Sequence, residues 1–118
     1  MMSRSGLTSE RLGLIVEEAA SEVYIFSAGD FGFRLVNKGA RDNLGYTIDE
    51  LRELTPWDLK PQFSREEFLD MVRPLQSGEA SHLEFETVHR RKDGTDYDVS
   101  VNLQLFEDDE DPVFYAAI

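Results

Sequence analysis

The feature that most constrains the fold is an alternating stretch in the second half of the chain, Leu83–Phe106, which predicts one long β-hairpin. In its second arm an apolar row, Tyr97, Val99, Val101, Leu103 and Leu105, alternates with a polar row, Asp98, Ser100, Asn102 and Gln104. A strand with this period of two buries one row and exposes the other. The Asp93-Gly94 pair between the arms favours a tight turn. The stretch therefore predicts a half-buried hairpin in an antiparallel sheet.

The same pattern predicts the register of the hairpin. A two-residue Asp-Gly loop would set Phe85 opposite Asn102 and would mix apolar and polar side chains on both faces. A three-residue loop, Lys92-Asp93-Gly94, instead pairs Leu83 with Leu103, Phe85 with Val101 and Thr87 with Val99. Because register follows the buried pattern, we predict the three-residue loop, a type I turn in which a left-handed Gly94 closes a β-bulge.

Composition indicates one acidic globular domain. A chain of 118 residues with 41% hydrophobic residues and 8 phenylalanines can bury a core of its own. Its 24 acidic and 12 basic residues give a net charge of −12, which argues against nucleic acid or an anionic membrane surface as a direct partner. No apolar run approaches the roughly 18 residues of a membrane span, and no signal peptide is recognised, so we expect a cytoplasmic protein.

Apolar spacing predicts a helix that begins near Thr8 and carries Leu12, Ile15, Val16 and Ala19 on one face. We assign this helix to a flanking segment, residues 1–20, ahead of the domain proper, residues 21–118. Its apolar stripe could pack on the domain's own sheet or on the same helix of a second copy. Both alternatives stay open at this point, and the second makes these four residues a candidate dimer interface.

Capping residues and turn residues predict the remaining elements. In chain order they are strands Glu22–Ser27 and Phe33–Asn37, helices Lys38–Leu44, Thr47–Leu54 and Ser64–Leu75, the hairpin, and a last strand Pro112–Ile118. Asn37 is expected to cap the first of these helices and Gly45 to end it. The fold class is α+β, with one five-stranded antiparallel sheet and short helices packed on one of its faces.

Residues that could carry chemistry form no motif with the spacing of a catalytic or metal site. The acidic run Glu107–Asp111 predicts a solvated turn, and the histidines, His82 and His89, are expected to be ordinary and partly exposed. The enzymatic alternative is a cone-shaped α+β isomerase-like fold. It would need a buried acid facing Tyr24 or Tyr115 in an apolar pocket.

Two blocks of sequence resemble the PAS domain family, over Leu14–Ile118. The first is Val36-Asn37-Lys38-Gly39-Ala40 followed by LGYTIDEL from Leu44, and the second is Phe85-Glu86 followed by Arg91-Lys92-Asp93-Gly94 and the alternating strand. The resemblance implies a PAS fold and a sensory input module of a multidomain signalling protein, such as a histidine kinase or a diguanylate cyclase. Such a module senses a small ligand or a partner and relays the change to a fused effector domain. The alternative is a dimerisation adaptor without ligand.

The cofactors that the resemblance implies can be compared with the residues present. Photoreceptors that form a cysteinyl-flavin adduct, and those that bind a coumaroyl group, need a cysteine, and the chain has none. The haem-binding branch takes its histidine from the helix before the hairpin, and Ser64–Leu75 contains none, so we do not expect His-ligated haem. Non-covalent FAD and a small metabolite remain compatible with the sequence.

A ligand pocket would lie between the sheet and the short helices, with Tyr24, Asn37 and Tyr115 as polar contacts. The residues predicted to line it are Tyr24, Phe26, Leu35, Asn37, Leu44, Trp57, Leu59, Phe68, Met71, Phe85, Val99, Val101 and Tyr115. The alternative is that these side chains simply fill the core. The predicted partners are a fused effector, a second copy of the chain and a small-molecule ligand.

Overall fold

A five-stranded antiparallel sheet forms the framework of the computed structural model, which describes residues 8–107 and 110–118. The strands are β1 (Val23–Ser27), β2 (Phe33–Val36), β3 (Leu83–Arg90), β4 (Asp96–Phe106) and β5 (Val113–Ala117). The helices are α1 (Ser9–Glu18), α2 (Lys38–Leu44), α3 (Ile48–Leu51), α4 (Pro56–Leu59) and α5 (Arg65–Ser77). The strand order β2-β1-β5-β4-β3 places the last strand at the centre, which confirms the predicted α+β fold class.

The hairpin has the predicted register. Leu83 lies opposite Leu103, and Phe85 lies opposite Val101. Gly94 adopts a left-handed φ of 90°, as the three-residue loop requires. Of the predicted acidic turn Glu107–Asp111, residues 108 and 109 lie outside the described residues.

Replacement of the turn glycine tests this geometry. Gly94→Ala is expected to lower the free energy of unfolding by roughly 1 kcal/mol, because an L side chain is strained at positive φ. Urea denaturation measures the change. The matched control is Gly13→Ala in α1, where nothing lies within 4 Å of the added Cβ. Because alanine favours helix, the control should not destabilise the protein. Equal stabilities of Gly94→Ala and the wild type would contradict the turn described here.

The short helices follow the predicted caps, with one element missed. Asn37 caps α2 and Gly45 ends it with a φ of 83°, but α3 ends at Leu51 rather than at the predicted Leu54. Helix α4 was not predicted, although Thr55 and Asp58 form a capping box around it. Four residues are too few for an apolar period to be read.

The core lies between α2–α5 and one face of the sheet, which we call the inner face. Each short helix contributes one leucine with no exposed surface: Leu44 in α2, Leu51 in α3 and Leu59 in α4. Fully burying such a side chain stabilises the fold by about 1.5–3 kcal/mol, so these leucines hold helices that are too short to be stable alone.

Candidate functional site

Most of the residues predicted to line a pocket pack against one another in the interior. Tyr24, Phe26, Leu44, Leu59, Phe68, Val99 and Val101 are buried, and Trp57, Met71 and Phe85 are partly buried against them. The ring centroids of Phe26 and Phe114 are 5.1 Å apart, and those of Phe31 and Trp57 are 5.6 Å apart. Rings at about 4.5–7 Å are in contact, so these pairs leave no gap the size of a flavin ring system between them.

Two of the predicted pocket residues, Leu35 and Tyr115, lie on the opposite, outer face of the sheet. Both pair with Ile25, and Tyr115 also pairs with Gln104 of the polar row. They therefore cannot line an interior pocket, and that part of the prediction is corrected. For Tyr115 the cause is the continuous apolar sequence of the central strand β5, which has no alternation from which a facing could be read. For Leu35 the cause is a shift in the β1–β2 pairing between Ile25 and Phe26, which breaks the period of two in the edge strand β2.

Asn37 is buried as predicted, but its hydrogen-bonding capacity is used by the backbone. Its Oδ1 accepts the N–H groups of Val23 at 3.0 Å and Ala40 at 3.2 Å. Its Nδ2 donates to the carbonyl oxygens of Val16 at 3.0 Å and Ser21 at 2.9 Å. This side chain joins the end of α1 to β1 and α2, so it has no free polar group to offer a ligand.

His89 is not the partly exposed histidine that the sequence suggested, because it is only 1% exposed. Its Nε2 lies 3.0 Å from Nζ of Lys60, a residue that sequence reasoning missed and that is 6% exposed. The predicted register already contained the signal for His89, which lies opposite Tyr97 of the inner row. His82, by contrast, is exposed as expected.

Burial sets the protonation of this pair. It lowers the pKa of Lys60 to about 7. Burial, and after it the charge of Lys60, lowers the pKa of His89 to about 2. The two side chains therefore hold one exchangeable proton near neutral pH, since a second positive charge would have to enter the same apolar site.

From His89 a chain of polar contacts continues towards the start of β1. His89 Nδ1 lies 3.5 Å from the hydroxyl of Tyr24, which donates to Glu22 Oε1 at 2.6 Å. Tyr97 donates to the same oxygen at 3.0 Å, and Asn43 Nδ2 donates to Glu22 Oε2 at 2.7 Å. Burial raises the pKa of Tyr24 and of Tyr97 above the usual range, so both hydroxyls keep their protons.

The hairpin turn is attached to this chain through Arg91. Its Nε donates to the carbonyl of Asn43 at 3.0 Å and its Nη2 to Oδ1 of the same residue at 3.1 Å. The guanidinium lies 4.5 Å from the ring centroid of Tyr97. The backbone carbonyl of Glu22 accepts the N–H of Ile118 at the end of β5. Glu22 therefore lies where the end of α1, the end of β5 and the polar chain meet.

Helix α1 is attached to the domain by its polar side. Arg41 of α2 makes a bidentate ion pair with Glu17, with N–O distances of 2.9 and 2.7 Å. Val16 and Ala19 of the predicted interface are partly buried. The helix is thus positioned by specific contacts near its C-terminal end.

The apolar side of α1 is open. Leu12 is 50% exposed and Ile15 is 53% exposed, so the predicted stripe does not pack on the domain's own sheet. Leu14, which the prediction did not include, is 63% exposed. Of the two alternatives that the sequence left open, packing on the domain's own sheet does not cover Leu12 and Ile15 among the described residues, and packing on the same helix of a second copy remains. The dimer itself stays a prediction.

The part of the chain that the structure describes contains neither a membrane-spanning helix nor a metal cluster. In residues 8–107 and 110–118, no helix has both the length and the apolar character needed to cross a membrane. In the same residues, no group of three or more His, Asp or Glu side chains is arranged to hold a metal ion. The cytoplasmic location and the division at residue 20 stay predictions.

Comparison with known proteins gives a consistent result. The sequence model of the PAS domain matches residues 22–118. The fold is similar to that of the PAS domain of an HTR-like protein from Haloarcula marismortui, with 25% identity, a TM-score of 0.79 and coverage of 92% of this chain and 93% of that one. A PAS domain from a two-component sensor histidine kinase has 16% identity, a TM-score of 0.77 and coverage of 92% and 91%. A LOV protein of Rhodobacter sphaeroides has 14% identity, a TM-score of 0.73 and coverage of 92% and 63%.

No curated protein matches the chain. The family match nevertheless covers both sequence blocks, the whole sheet and all of the short helices. The fold of the solved Haloarcula marismortui PAS domain is similar over 92% of this chain. The chain therefore belongs to the PAS domain family.

Proposed function

We propose that the chain is the sensory input module of a multidomain signalling protein and that it works as a homodimer, relaying its signal to a fused effector such as a histidine kinase or a diguanylate cyclase. Family membership supports the sensory role, and a sensor histidine kinase is among the proteins that share the fold. The observation that carries the dimer is α1, which is fixed to the domain by Glu17 and Arg41 but exposes its apolar stripe.

The energetics of this stripe favour self-association. Burying one leucine or isoleucine side chain stabilises a complex by about 1.5–3 kcal/mol. Leu12 and Ile15 lie three residues apart on one face of α1, and each is at least half exposed, so a two-fold contact would cover both in the two copies at once. Because α1 leads directly to Glu22 and β1, a change in the domain would alter the relation between the two copies.

Aspartate substitution in the stripe tests the dimer. Leu12→Asp and Ile15→Asp, singly and together, are expected to give monomers in analytical ultracentrifugation, because each places a charge in an apolar contact. Circular dichroism should stay unchanged, since neither side chain belongs to the core. Ser9→Asp is the matched control, because it adds the same charge at an exposed polar position of the same helix, and it should remain dimeric. A dimeric double variant, or a monomeric wild type, would contradict the proposal.

We also propose that the interior holds neither flavin nor haem. Aromatic rings under α5 contact one another, and this packing supports an interior without non-covalent FAD. Both ring nitrogens of His89 have hydrogen-bonding partners, so neither is free to bind haem iron. We expect the freshly purified domain to show no flavin or haem bands in its absorption spectrum. Release of either chromophore on denaturation would overturn this part of the proposal and favour a cofactor sensor.

The enzymatic alternative requires an acid that faces Tyr24 or Tyr115 in an apolar pocket, and only the first part of this requirement is met. Glu22 faces Tyr24, yet it is only partly buried, and its two oxygens accept hydrogen bonds from Tyr24, Tyr97 and Asn43. A general base must reach a proton of the substrate, whereas these three hydrogen bonds hold the Glu22 carboxylate against side chains of the fold. The family match also gives a different fold from the isomerase-like one. We therefore propose sensing rather than catalysis.

A further inference from the structure

A buried lysine without a carboxylate partner is an unusual feature of this core. Buried charges in proteins are normally paired, yet Nζ of Lys60 contacts only the imidazole of His89 among the described residues. The ring of Phe68 lies 5.8 Å from the same nitrogen. Two of the three N–H bonds of a charged Lys60 therefore have no acceptor in the described chain. An ammonium group held in this way gives up its proton far more easily than one in water.

With its proton bound, the pair orders the whole chain in one direction. A charged Lys60 can only donate, so His89 Nε2 must accept and its proton must sit on Nδ1. Nδ1–H then points to the hydroxyl oxygen of Tyr24. The Tyr24 hydroxyl accepts this hydrogen bond and donates one of its own to Glu22 Oε1 at 2.6 Å. The short distance is typical of a hydroxyl that donates to a carboxylate.

Without the proton, the opposite direction becomes available. The lone pair of a neutral Lys60 can accept a hydrogen bond from His89 Nε2–H, and His89 Nδ1 is then an acceptor. The Tyr24 hydroxyl can now donate to His89 instead of to Glu22. When Lys60 loses its proton, His89 Nδ1 therefore competes with Glu22 for the Tyr24 hydroxyl, which makes the shortest of the hydrogen bonds that Glu22 accepts.

We propose that the Lys60–His89 pair is a proton-binding site, and that its proton sets the direction of the hydrogen bonds from His89 through Tyr24 to Glu22 and so makes the α1–β1 junction respond to pH. This regulation rests on the proposed sensory function. It would act at Glu22, which lies between the end of α1 and the end of β5. The ligand sensed is the proton itself, which needs no cavity in the filled core.

Among the described residues, side chains from three elements face the pair. Tyr24 reaches it from β1, Phe68 lies beside it from α5, and Tyr97 from β4 packs edge-on to the imidazole with ring centroids 5.7 Å apart. Beyond the tyrosines, Glu22 is the carboxylate that the chain of hydrogen bonds reaches. The guanidinium of Arg91 packs on the ring of Tyr97. Since both tyrosine hydroxyls stay protonated, Lys60 and His89 are the groups that exchange the proton.

Nitrogen NMR of the imidazole tests the proposal directly. The chain has 2 histidines, so His82→Gln leaves His89 as the single imidazole. Its ¹⁵N shifts are recorded from about pH 6 to about pH 9, around the ordinary range of a perturbed amine and imidazole. We expect the proton to lie on Nδ1 at the acid end and on Nε2 at the alkaline end. One tautomer throughout the range would overturn the proposal.

Two variants separate proton binding from its relay. In Lys60→Met, which keeps the length of the side chain and its apolar stem, the tautomer should no longer change with pH. In Tyr24→Phe the tautomer should still change, but the pH-dependent shifts of the Glu22 and Ile118 amides should disappear. If those amides shift equally in Tyr24→Phe and in the parent, the relay is refuted. All of these spectra can be recorded on the monomeric Leu12→Asp protein, so a failure of the proposed dimer would not affect them.

Linkage gives an independent readout. Because burial lowers the pKa of Lys60 from 10.5 to about 7, the unfolded chain binds more protons than the folded one between these values. The contribution of Lys60 to stability therefore rises with pH across that interval, and through this group alone the unfolding equilibrium constant should fall by at least about tenfold. Lys60→Met should lack this fall while keeping the pH dependence of every other group. Parallel curves for the two proteins would overturn the assignment of the proton to Lys60.

Discussion

Phe68→Ala is expected to lower the free energy of unfolding by about 4 kcal/mol, the middle of the range for truncation of a buried aromatic residue. Phe68 is 1% exposed and projects from α5 onto the sheet. Its ring centroid lies 6.1 Å from that of Phe26, 6.2 Å from that of Phe31 and 6.0 Å from that of Trp57. Truncation removes these contacts together and leaves a cavity that the surrounding rings cannot close, because each is held by a different element.

The measurement is urea denaturation of the variant and the wild type at one protein concentration. Phe106→Ala is the matched control, since Phe106 is 54% exposed on the outer side of the sheet, and we expect a loss below about 1 kcal/mol. A loss of similar size for both variants would contradict the core described here. So would a small loss for Phe68→Ala, because it would mean that open space already surrounds the ring.

The result bears on function as well as on stability. A PAS domain that senses a large ligand needs a preformed space beside α5, whereas an adaptor or a proton sensor does not. A large loss of stability in Phe68→Ala favours the filled core. The cavity so created should then bind a small aromatic probe such as indole, and the probe should restore part of the lost stability by mass action.

The parts of the fold that could be predicted are those in which local signals agree. The hairpin combines a period of two with Asp93-Gly94, so only one register satisfies both. Helix α2 has a side-chain cap at Asn37 and a left-handed glycine at Gly45, and both of its bounds are correct. In each case the residues that decide the structure are close in sequence to the element they define.

The parts that could not be predicted depend on distant contacts. Phe31 lies in a stretch that reads as a turn, yet a positive φ of 64° brings its ring into the core. Lys60 stands between Leu59 and Pro61, and a lysine in a loop is exposed in nearly every protein. Lys60 is buried where it contacts His89, which lies 29 residues later in the sequence on the inner face of β3. No pattern in the sequence near Lys60 predicts this contact.

The loss of Asn37 should be the largest effect of any polar substitution in the domain. Asn37 has no exposed surface, and its four hydrogen bonds go to backbone groups of α1, β1 and the connection between them, as well as to its own helix. Asn37→Ala leaves buried N–H and C=O groups without partners, at about 1–3 kcal/mol for each one that water cannot reach. With part of the set resolvated, we expect a loss of roughly 4 kcal/mol.

Hydrogen exchange can locate this loss. The amides of α1 and of the first residues of β1 should exchange faster in Asn37→Ala, because the side chain no longer holds the carbonyl groups of Val16 and Ser21. Asn102→Ala, which removes an exposed asparagine from β4, should change stability by less than about 0.5 kcal/mol and leave these amides unaffected. Faster exchange confined to α2 would show that Asn37 acts only as a helix cap. Faster exchange confined to α1 and β1 would show that Asn37 helps to fix the flanking helix to the domain. Asn37 would then also support the junction at Glu22, on which both proposals depend.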